Sequence, residues 1–208
     1  MTLRTLLKAP PRPSNALNYP FTRFHKIKLM TTRNNTTHTT PSPPTADLCD
    51  QYIPSPTRLQ IVQPNLLRNY GSITSFHGRI QTIRCFESNP LVRETLLTPG
   101  NDQVLVVDGG GSNRCAIMGD MLAAFGRDNG WSGVVINGYI RDSKIIGRTA
   151  LGVKALGTHP LKSLKDYRGT TGVRVSFGGV EFVPGHYLYS DEDGIVVSET
   201  ELTLSGEE

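Results

Sequence analysis

Acidic residues are missing from the first 46 positions. Met1 to Ala46 contain no Asp or Glu, while Arg4, Lys8, Arg12, Arg23, Lys26, Lys28 and Arg33 hold seven of the chain's 22 Lys and Arg. The other 15 face all 18 acidic residues in positions 47–208, so the formal charge of +4 divides into +7 on the leading segment and −3 on the rest. A body of net negative charge lacks the basic surface that displaces counterions from phosphates, so nucleic-acid binding by it is not expected. Cysteine is scarce too: Cys49, Cys85 and Cys115 are odd in number, widely spaced and without a CxxC pair. They read as thiols of a reducing compartment rather than as a disulfide framework. No apolar run approaches the roughly 18 residues of a membrane span, so the chain is expected to be soluble, with no membrane partner. With 37% apolar residues in 208, one domain plus an appendage is expected.

Residues 1–46 form the appendage, a disordered basic extension or targeting segment, and 47–208 the folded domain. The stretch TTRNNTTHTTPSPPT has too little apolar surface to offset chain entropy. Arg-rich, Ser/Thr-bearing, acid-poor N-termini are similar to organellar transit peptides. A mitochondrial or plastid address is therefore one expectation. A cytoplasmic protein with an unstructured extension, or with Met30 as its true start, is the other. Asn34 and Asn35 match the glycosylation pattern, but no secretory apolar segment accompanies them.

Local patterns within the domain alternate between helix and strand. TADLCDQY (45–52) has a Thr cap signal and an acidic first turn, predicting a helix. SITSFHGRIQTIRCF (72–86) alternates and is rich in β-branched residues, predicting one or two strands. NPLVRETLLT (89–98) predicts a helix with Pro90 in its first turn. QVLVVDGGG (103–111) and SGVVINGYIRD (132–142) read as buried strands ending in turns, and LGVKALGTHP (151–160) as a shorter one. GDMLAAFGRDNG (119–130) predicts a helix stopping at Gly130. Gly178-Gly179 and Asp193-Gly194 are hairpin signals in the β-rich remainder. The fold class is α/β, with sheet and helix layered over one core.

Three glycines after a strand, Gly109 to Gly111, raise the question of what approaches them. A dinucleotide fingerprint needs a third spaced glycine where Arg114 stands, and no Walker lysine follows. A close-packed turn suffices to require glycine. The stronger signal is Gly119-Asp120 opening a helix, together with Arg141-Asp142 where a strand meets its loop. Ligands of α/β sheets gather outside the carboxyl ends of strands. A helix N-terminus offers free N–H groups and partial positive charge to a carboxylate. Arginine adds a fork for the same anion, and Asp142, expected on the opposite face of the strand end, can hold a hard cation. Such a site suits a small metal-chelating acid.

The blocks VLVVDGGGSNRCAIMGDMLA, NGWSGVVINGYIRD, GVKALGTHPLKS and YSDEDGIVVS occur in that order, and the chain from about 47 to 204 resembles the RraA-like family. That family holds the class II 4-hydroxy-4-methyl-2-oxoglutarate aldolases and the regulator of ribonuclease activity A. The resemblance implies a layered α/β/β sandwich similar to the swivelling phosphohistidine domain, assembled as a homotrimer or hexamer with sites between subunits. It implies that Gly119, Asp120, Met121 and Leu122 receive a substrate carboxylate on backbone amides. It also implies that Arg141 contacts the keto oxygen and that Asp142 binds Mg²⁺ or Mn²⁺. The implied reaction is retro-aldol cleavage of a small oxo-acid to pyruvate, with Arg141 and Asp142 catalytic and oxaloacetate decarboxylation as a side activity.

One departure stands out. Aldolase members commonly carry an acid three residues after the metal aspartate, where it can orient metal-bound water, and here that place is Ile145. The family also draws an acid from the neighbouring subunit, for which Asp191, Glu192 and Asp193 are candidates by charge alone. Asp120 either orients water near the metal or serves the helix dipole. Lys144 reads as a solvated loop lysine rather than a Schiff-base nucleophile. His77, His159 and His186 lack metal-ligand spacing, Trp131 reads as packing at a helix end, and Cys115 as core. The aldolase branch keeps both Arg and Asp at the strand end, whereas the regulator branch lacks the Asp. The alternative reading is a non-catalytic regulator that binds a ribonuclease or helicase.

Overall fold

The computed structural model describes residues 42–53, 59–166 and 168–205. The leading extension lies outside the described residues up to position 41, together with the targeting and start-site readings that fall on it.

In chain order the elements are α1 (Thr45–Tyr52), β1 (Gln60–Ile61), β2 (Arg68–Asn69), β3 (Phe76–Cys85), α2 (Pro90–Leu96) and β4 (Val104–Asp108). Next come β5 (Ala116–Met118), α3 (Asp120–Asp128), β6 (Gly133–Ile140), α4 (Ser143–Ile146) and β7 (Gly152–Thr158). The β-rich end holds β8 (Gly169–Thr171), β9 (Val175–Phe177), β10 (Val180–Phe182), β11 (Tyr187–Ser190) and β12 (Ile195–Ser198). The main sheet runs β1-β12-β11-β3-β4-β6-β7-β2, with β5 added beside β6 and β8 beside β3. Strands β3, β4, β6 and β7 are parallel in its middle and antiparallel pairs flank them, so the architecture is mixed α/β.

The centre of the sheet is covered on both faces, which is why β4 reads as an unbroken apolar run. Successive side chains point to opposite faces. Leu105 and Val107 join a core with Val92 and Leu96 of α2, Leu122 and Ala123 of α3, and Ile146 of α4. Val104 and Val106 join a second core with Val175, Val180, Phe182, Leu188 and Val197 from the β-rich end. Each of the fully buried Val, Leu, Ile and Phe side chains among these contributes about 1.5–3 kcal/mol. Helices thus cover one face of the central strands, and the other face is closed by the β9–β10 hairpin with strands β11 and β12 of the same curled sheet.

Turn chemistry agrees with the local signals. Phe177 pairs with Val180 across Gly178 and Gly179, both at positive φ (61° and 80°), as a two-residue hairpin of the twisted-ribbon kind demands. Gly130 at φ 73° ends α3. One expectation fails: Thr45 does not cap α1, whose N-cap is Pro44 without a side-chain bond. The Thr45 hydroxyl and amide are engaged by Asp191 instead.

Register brings the candidate residues together. Asp108 pairs with Asn137, and Ile140 with both Thr158 and Met118, so the carboxyl ends of β4, β6 and β7 share one edge with the start of α3.

Candidate active site

Strand β6 delivers Arg141, whose N–H donates to Met118 O at 2.9 Å and ties the strand end to the approach of α3. Asp142 follows in the left-handed region, φ 57° and ψ 33°, at roughly 1–2 kcal/mol above ordinary backbone. That turn lets Asp142 O accept the N–H groups of Ile145 and Ile146 at 2.9 and 3.1 Å, starting α4. It also corrects an expectation. Strand alternation puts Arg141 and Asp142 on opposite faces, but the left-handed residue swings its carboxylate back, and Oδ2 lies 3.2 Å from Arg141 Nε. The side chains are 40% and 35% exposed, so water screens the pair and it adds little stability.

Gly119 closes the third side. Its φ of −129° and ψ of −171° are open to any residue, so backbone freedom is not the reason for glycine. A Cβ there would stand 2.8 Å from Asp142 Oδ2 and 3.2 Å from Arg141 Nε. Room for the Arg-Asp pair requires its absence.

Helix α3 aims its N-terminus at this pair. Of the four residues expected to offer amides, Met121 donates its N–H to Asp120 Oδ1 at 2.8 Å. Gly119 contributes its carbonyl, which accepts from Ala123 N at 3.2 Å. The amides of Gly119, Asp120 and Leu122 have no acceptor among the described residues, which leaves them as unspent donors at the helix N-terminus.

The triple glycine is answered by β6. Gly109 N and Gly111 N both donate to Asn137 O, at 3.0 and 3.1 Å, and Gly110 N donates to Asp108 Oδ1 at 3.1 Å. Asp108 Oδ1 also accepts from Asn137 Nδ2 at 2.8 Å. All three amides are already bonded within the protein, so none remains free for a nucleotide phosphate. What comes close is backbone: a Cβ on Gly109 would meet Asn137 O at 2.8 Å. Arg114, standing where a third glycine would be needed, pairs with Glu87 at 2.6 Å and holds that carboxyl below its usual range, helped by Ser112.

The acidic run 191–193 divides. Asp191 is 8% exposed and accepts from Thr45 N and Oγ1 (both 2.7 Å), Asp193 N (3.0 Å) and Gly194 N (3.2 Å). Burial pushes its pKa up, but these bonds outweigh it and hold the carboxyl below the usual range. Glu192 accepts from Thr74 Oγ1, and Asp193 is exposed. Sequence reasoning missed Lys154 of β7, which is 3% exposed and donates from Nζ to Asp191 O at 2.6 Å. Burial pulls its pKa down. A lysine inside the apolar run LGVKALG was the available signal. It lines a cavity of about 60 Å³ with Gln63, Asn65, Glu192 and Asp193, toward the opposite end of the parallel strands from Arg141.

The remaining candidates take structural places. His77 stacks on Tyr189 with centroids 5.7 Å apart, and His159 Nδ1 accepts from Leu161 N. Among the described residues no three His, Cys, Asp or Glu gather as a metal cluster. Lys144 is exposed on α4. Burial pushes the Cys85 thiol up to about 12 and raises Cys115, which removes both as nucleophiles. Trp131 is buried at the end of α3 and donates Nε1–H to Thr98 O. No helix among the described residues is long and apolar enough to cross a membrane.

Residues 45–197 match the profile of the RraA-like family, described as Aldolase/RraA. A protein of Aromatoleum aromaticum is 56% identical over 158 residues, 76% of this chain and 97% of that one. One of Hahella chejuensis is 47% identical over 164 residues, 79% and 98% of the two chains. Both carry the name "Putative 4-hydroxy-4-methyl-2-oxoglutarate aldolase". A solved structure from Geobacillus kaustophilus, described as an S-adenosylmethionine:2-dimethylmenaquinone methyltransferase, is 46% identical with a TM-score of 0.73, covering 77% of this chain and 97% of that one. The RNA-processing inhibitor RraA from Thermus is 38% identical, again with a TM-score of 0.73, covering 79% and 96%. Three different activities are attached to this one fold, so the residues at the strand end must decide between them.

Proposed function

This chain belongs to the RraA-like family, and from its site we propose that it is a divalent-metal-dependent aldolase. It cleaves 4-hydroxy-4-methyl-2-oxoglutarate, or a related oxo-acid, to pyruvate, and decarboxylates oxaloacetate as a side activity. The aldolase names of its relatives support the reaction class. The observation that carries the rest is the half-exposed Arg141–Asp142 pair beside Gly119, facing the open amides of Asp120 and Leu122.

The substrate's C1 carboxylate accepts hydrogen bonds from those two amides, helped by the partial positive charge of the α3 N-terminus. Arg141 donates to the C2 keto oxygen. As the C3–C4 bond breaks, the C4 hydroxyl passes its proton to water and becomes the carbonyl of one pyruvate, while negative charge moves onto the C2 oxygen and strengthens its bond to Arg141. A proton returned from water to C3 then gives the second pyruvate. Loss of CO₂ from oxaloacetate puts charge on the same oxygen, so the same donor serves it.

Asp142 fits a hard cation: it offers a carboxylate about one-third exposed, and Mg²⁺ or Mn²⁺ held by one carboxylate keeps most of its water. Such an ion, when bound, supplies Lewis-acid polarisation of the keto oxygen. In the same reading the domain is the layered α/β/β sandwich of the phosphohistidine-domain kind. It works as a homotrimer or hexamer, in the cytoplasm or in an organelle addressed by residues 1–46.

The RraA neighbour supports a second reading, a non-catalytic regulator that binds a ribonuclease or helicase. Pyruvate release from 4-hydroxy-4-methyl-2-oxoglutarate and from oxaloacetate separates the two, measured with Mg²⁺ and with EDTA, for wild type and Asp142→Ala. Metal-dependent turnover that the substitution abolishes is expected. Turnover no higher than the metal-only blank, in correctly assembled protein, would sink the aldolase reading and favour the regulator.

A further inference from the structure

The end of the sheet away from Arg141 holds a buried charge that the proposed reaction does not use. Lys154 stands on β7 between Val153 and Ala155, which both point into the core beneath the helices. Strand alternation therefore sends Lys154 to the other face, toward the core of the β-rich end. Its register partner Val135 is six residues short of Arg141, about 20 Å along β6. Lys154 is 3% exposed, and one of its three N–H groups is spent, on Asp191 O at 2.6 Å. It forms no ion pair among the described residues. A buried ammonium bonded to a single carbonyl is short of partners. The side chain lines the cavity of about 60 Å³ between residues 62–67 and the β11–β12 turn. A water needs roughly 10–15 Å³, so the space holds about four water-sized groups.

Charge around this cavity is ordered from inside to outside. Lys154 is buried, while Glu192 and Asp193 line the same space and are exposed. Glu192 stays ionised, because its hydrogen bond from Thr74 holds the carboxyl below the usual range. A simple anion reaching Lys154 must pass two carboxylates, and a simple cation drawn to those carboxylates meets the ammonium behind them. A molecule with a carboxylate at one end and an ammonium at the other satisfies both. Gln63 and Asn65 line the cavity with amide groups, and Leu67 and Ile195 add apolar wall for a short alkyl group. We propose that this cavity binds a small zwitterion, an α-amino acid no larger than about alanine. Its carboxylate accepts from the unspent N–H groups of Lys154, and its ammonium faces Glu192 and Asp193. The ligand takes no part in the oxo-acid reaction, so this site stands whether or not the aldolase reading does.

Isothermal titration calorimetry of the full chain with L-alanine tests this, with propionate and ethylamine as its two charged halves. Saturable binding of alanine is expected, tighter than propionate by about fivefold. It should exceed ethylamine by about tenfold or more, because ethylamine lacks the group that Lys154 holds. Lys154→Met should weaken alanine by about tenfold or more. Methionine keeps the space filled, and apolar replacement of a buried charge is commonly tolerated. Asp193→Lys changes a surface position, so folding is not at stake, and by reversing one outer charge it should turn the preference toward propionate. Heats equal to the buffer blank for all three compounds overturn the proposal. So does propionate bound by wild type as tightly as alanine, or alanine binding that neither substitution moves.

Discussion

Asp142 and Asp191 are both carboxylates in loops that follow strands of the same sheet, yet their surroundings are opposite. Asp191 accepts four hydrogen bonds, is nearly sealed from water, and ties Thr45 of α1 to the β11–β12 turn beside buried Lys154. Asp142 has one ion pair, about a third of its side chain in water, and a backbone conformation above its minimum. A satisfied carboxylate holds structure and has nothing left for a ligand. A half-satisfied one at the carboxyl end of a parallel strand has acceptor capacity to spare. Asp191, with its acceptor sites filled, has nothing to lend to another site, while Glu192 and Asp193 of that run are at the surface.

Breaking the two in turn should give opposite phenotypes. Asp142→Ala is expected to abolish the metal-dependent part of pyruvate release, a loss of at least about 10²–10³ in kcat/KM. Its unfolding free energy in urea should move by less than about 1 kcal/mol, since an exposed pair is worth little. Asp191→Ala strands the Thr45, Asp193 and Gly194 donors and should cost about 3 kcal/mol in the same urea titration. Activity per folded molecule should hold. If Asp191→Ala lost activity without losing stability, the contrast between the two carboxylates would collapse.

Gly119→Ala sharpens the comparison from the other side. The added Cβ must displace Asp142 Oδ2 or Arg141 Nε, and a misplacement near 1 Å costs on the order of 10²-fold in rate. Circular dichroism should show an unchanged fold, because the backbone at Gly119 is ordinary.

Acid separates them as well. The folded pKa of Asp191 lies below its unfolded value, so its contribution to stability is complete above the unfolded pKa of about 3.9. That contribution is lost as pH falls through the folded value. Urea titrations between pH 6 and 2 should show wild type losing stability below about pH 4, with a shallower loss in Asp191→Asn. The smallest effect is expected at Asp120, whose carboxylate occupies the Met121 amide. Asp120→Ala frees that donor, and KM for the oxo-acid should fall by roughly fivefold, about 1 kcal/mol.

Most elements were legible because their causes are local. Pro90 starts α2, Gly130 ends α3, Gly178-Gly179 turns the β9–β10 hairpin, and the runs in β4 and β6 announce strands covered on both faces. Residue type and near neighbours decide such features. Arg141-Asp142 stood out for the same reason, as charged residues terminating an apolar strand.

The sequence by itself therefore determined the α/β order of elements, the place of Arg141-Asp142 at a strand end and the exclusion of a dinucleotide fingerprint. Tertiary structure decided that Gly119 must leave room for Arg141 and Asp142, whereas the turn of Asp142 onto Arg141 and the capture of Met121's amide by Asp120 are contacts between adjacent residues that showed only once the backbone was in place. Tertiary structure also decided that Thr45 is spent on Asp191, 146 residues away, and that Lys154 is buried over that same loop. The approach of Gly119 to Arg141 and Asp142 depends on how β4, β5, β6 and β7 fall into parallel register through crossover connections, and the Asp191 contacts depend on where the β11–β12 turn meets α1 and β7. Register is set by the summed burial of two cores and leaves no mark on any short stretch of chain.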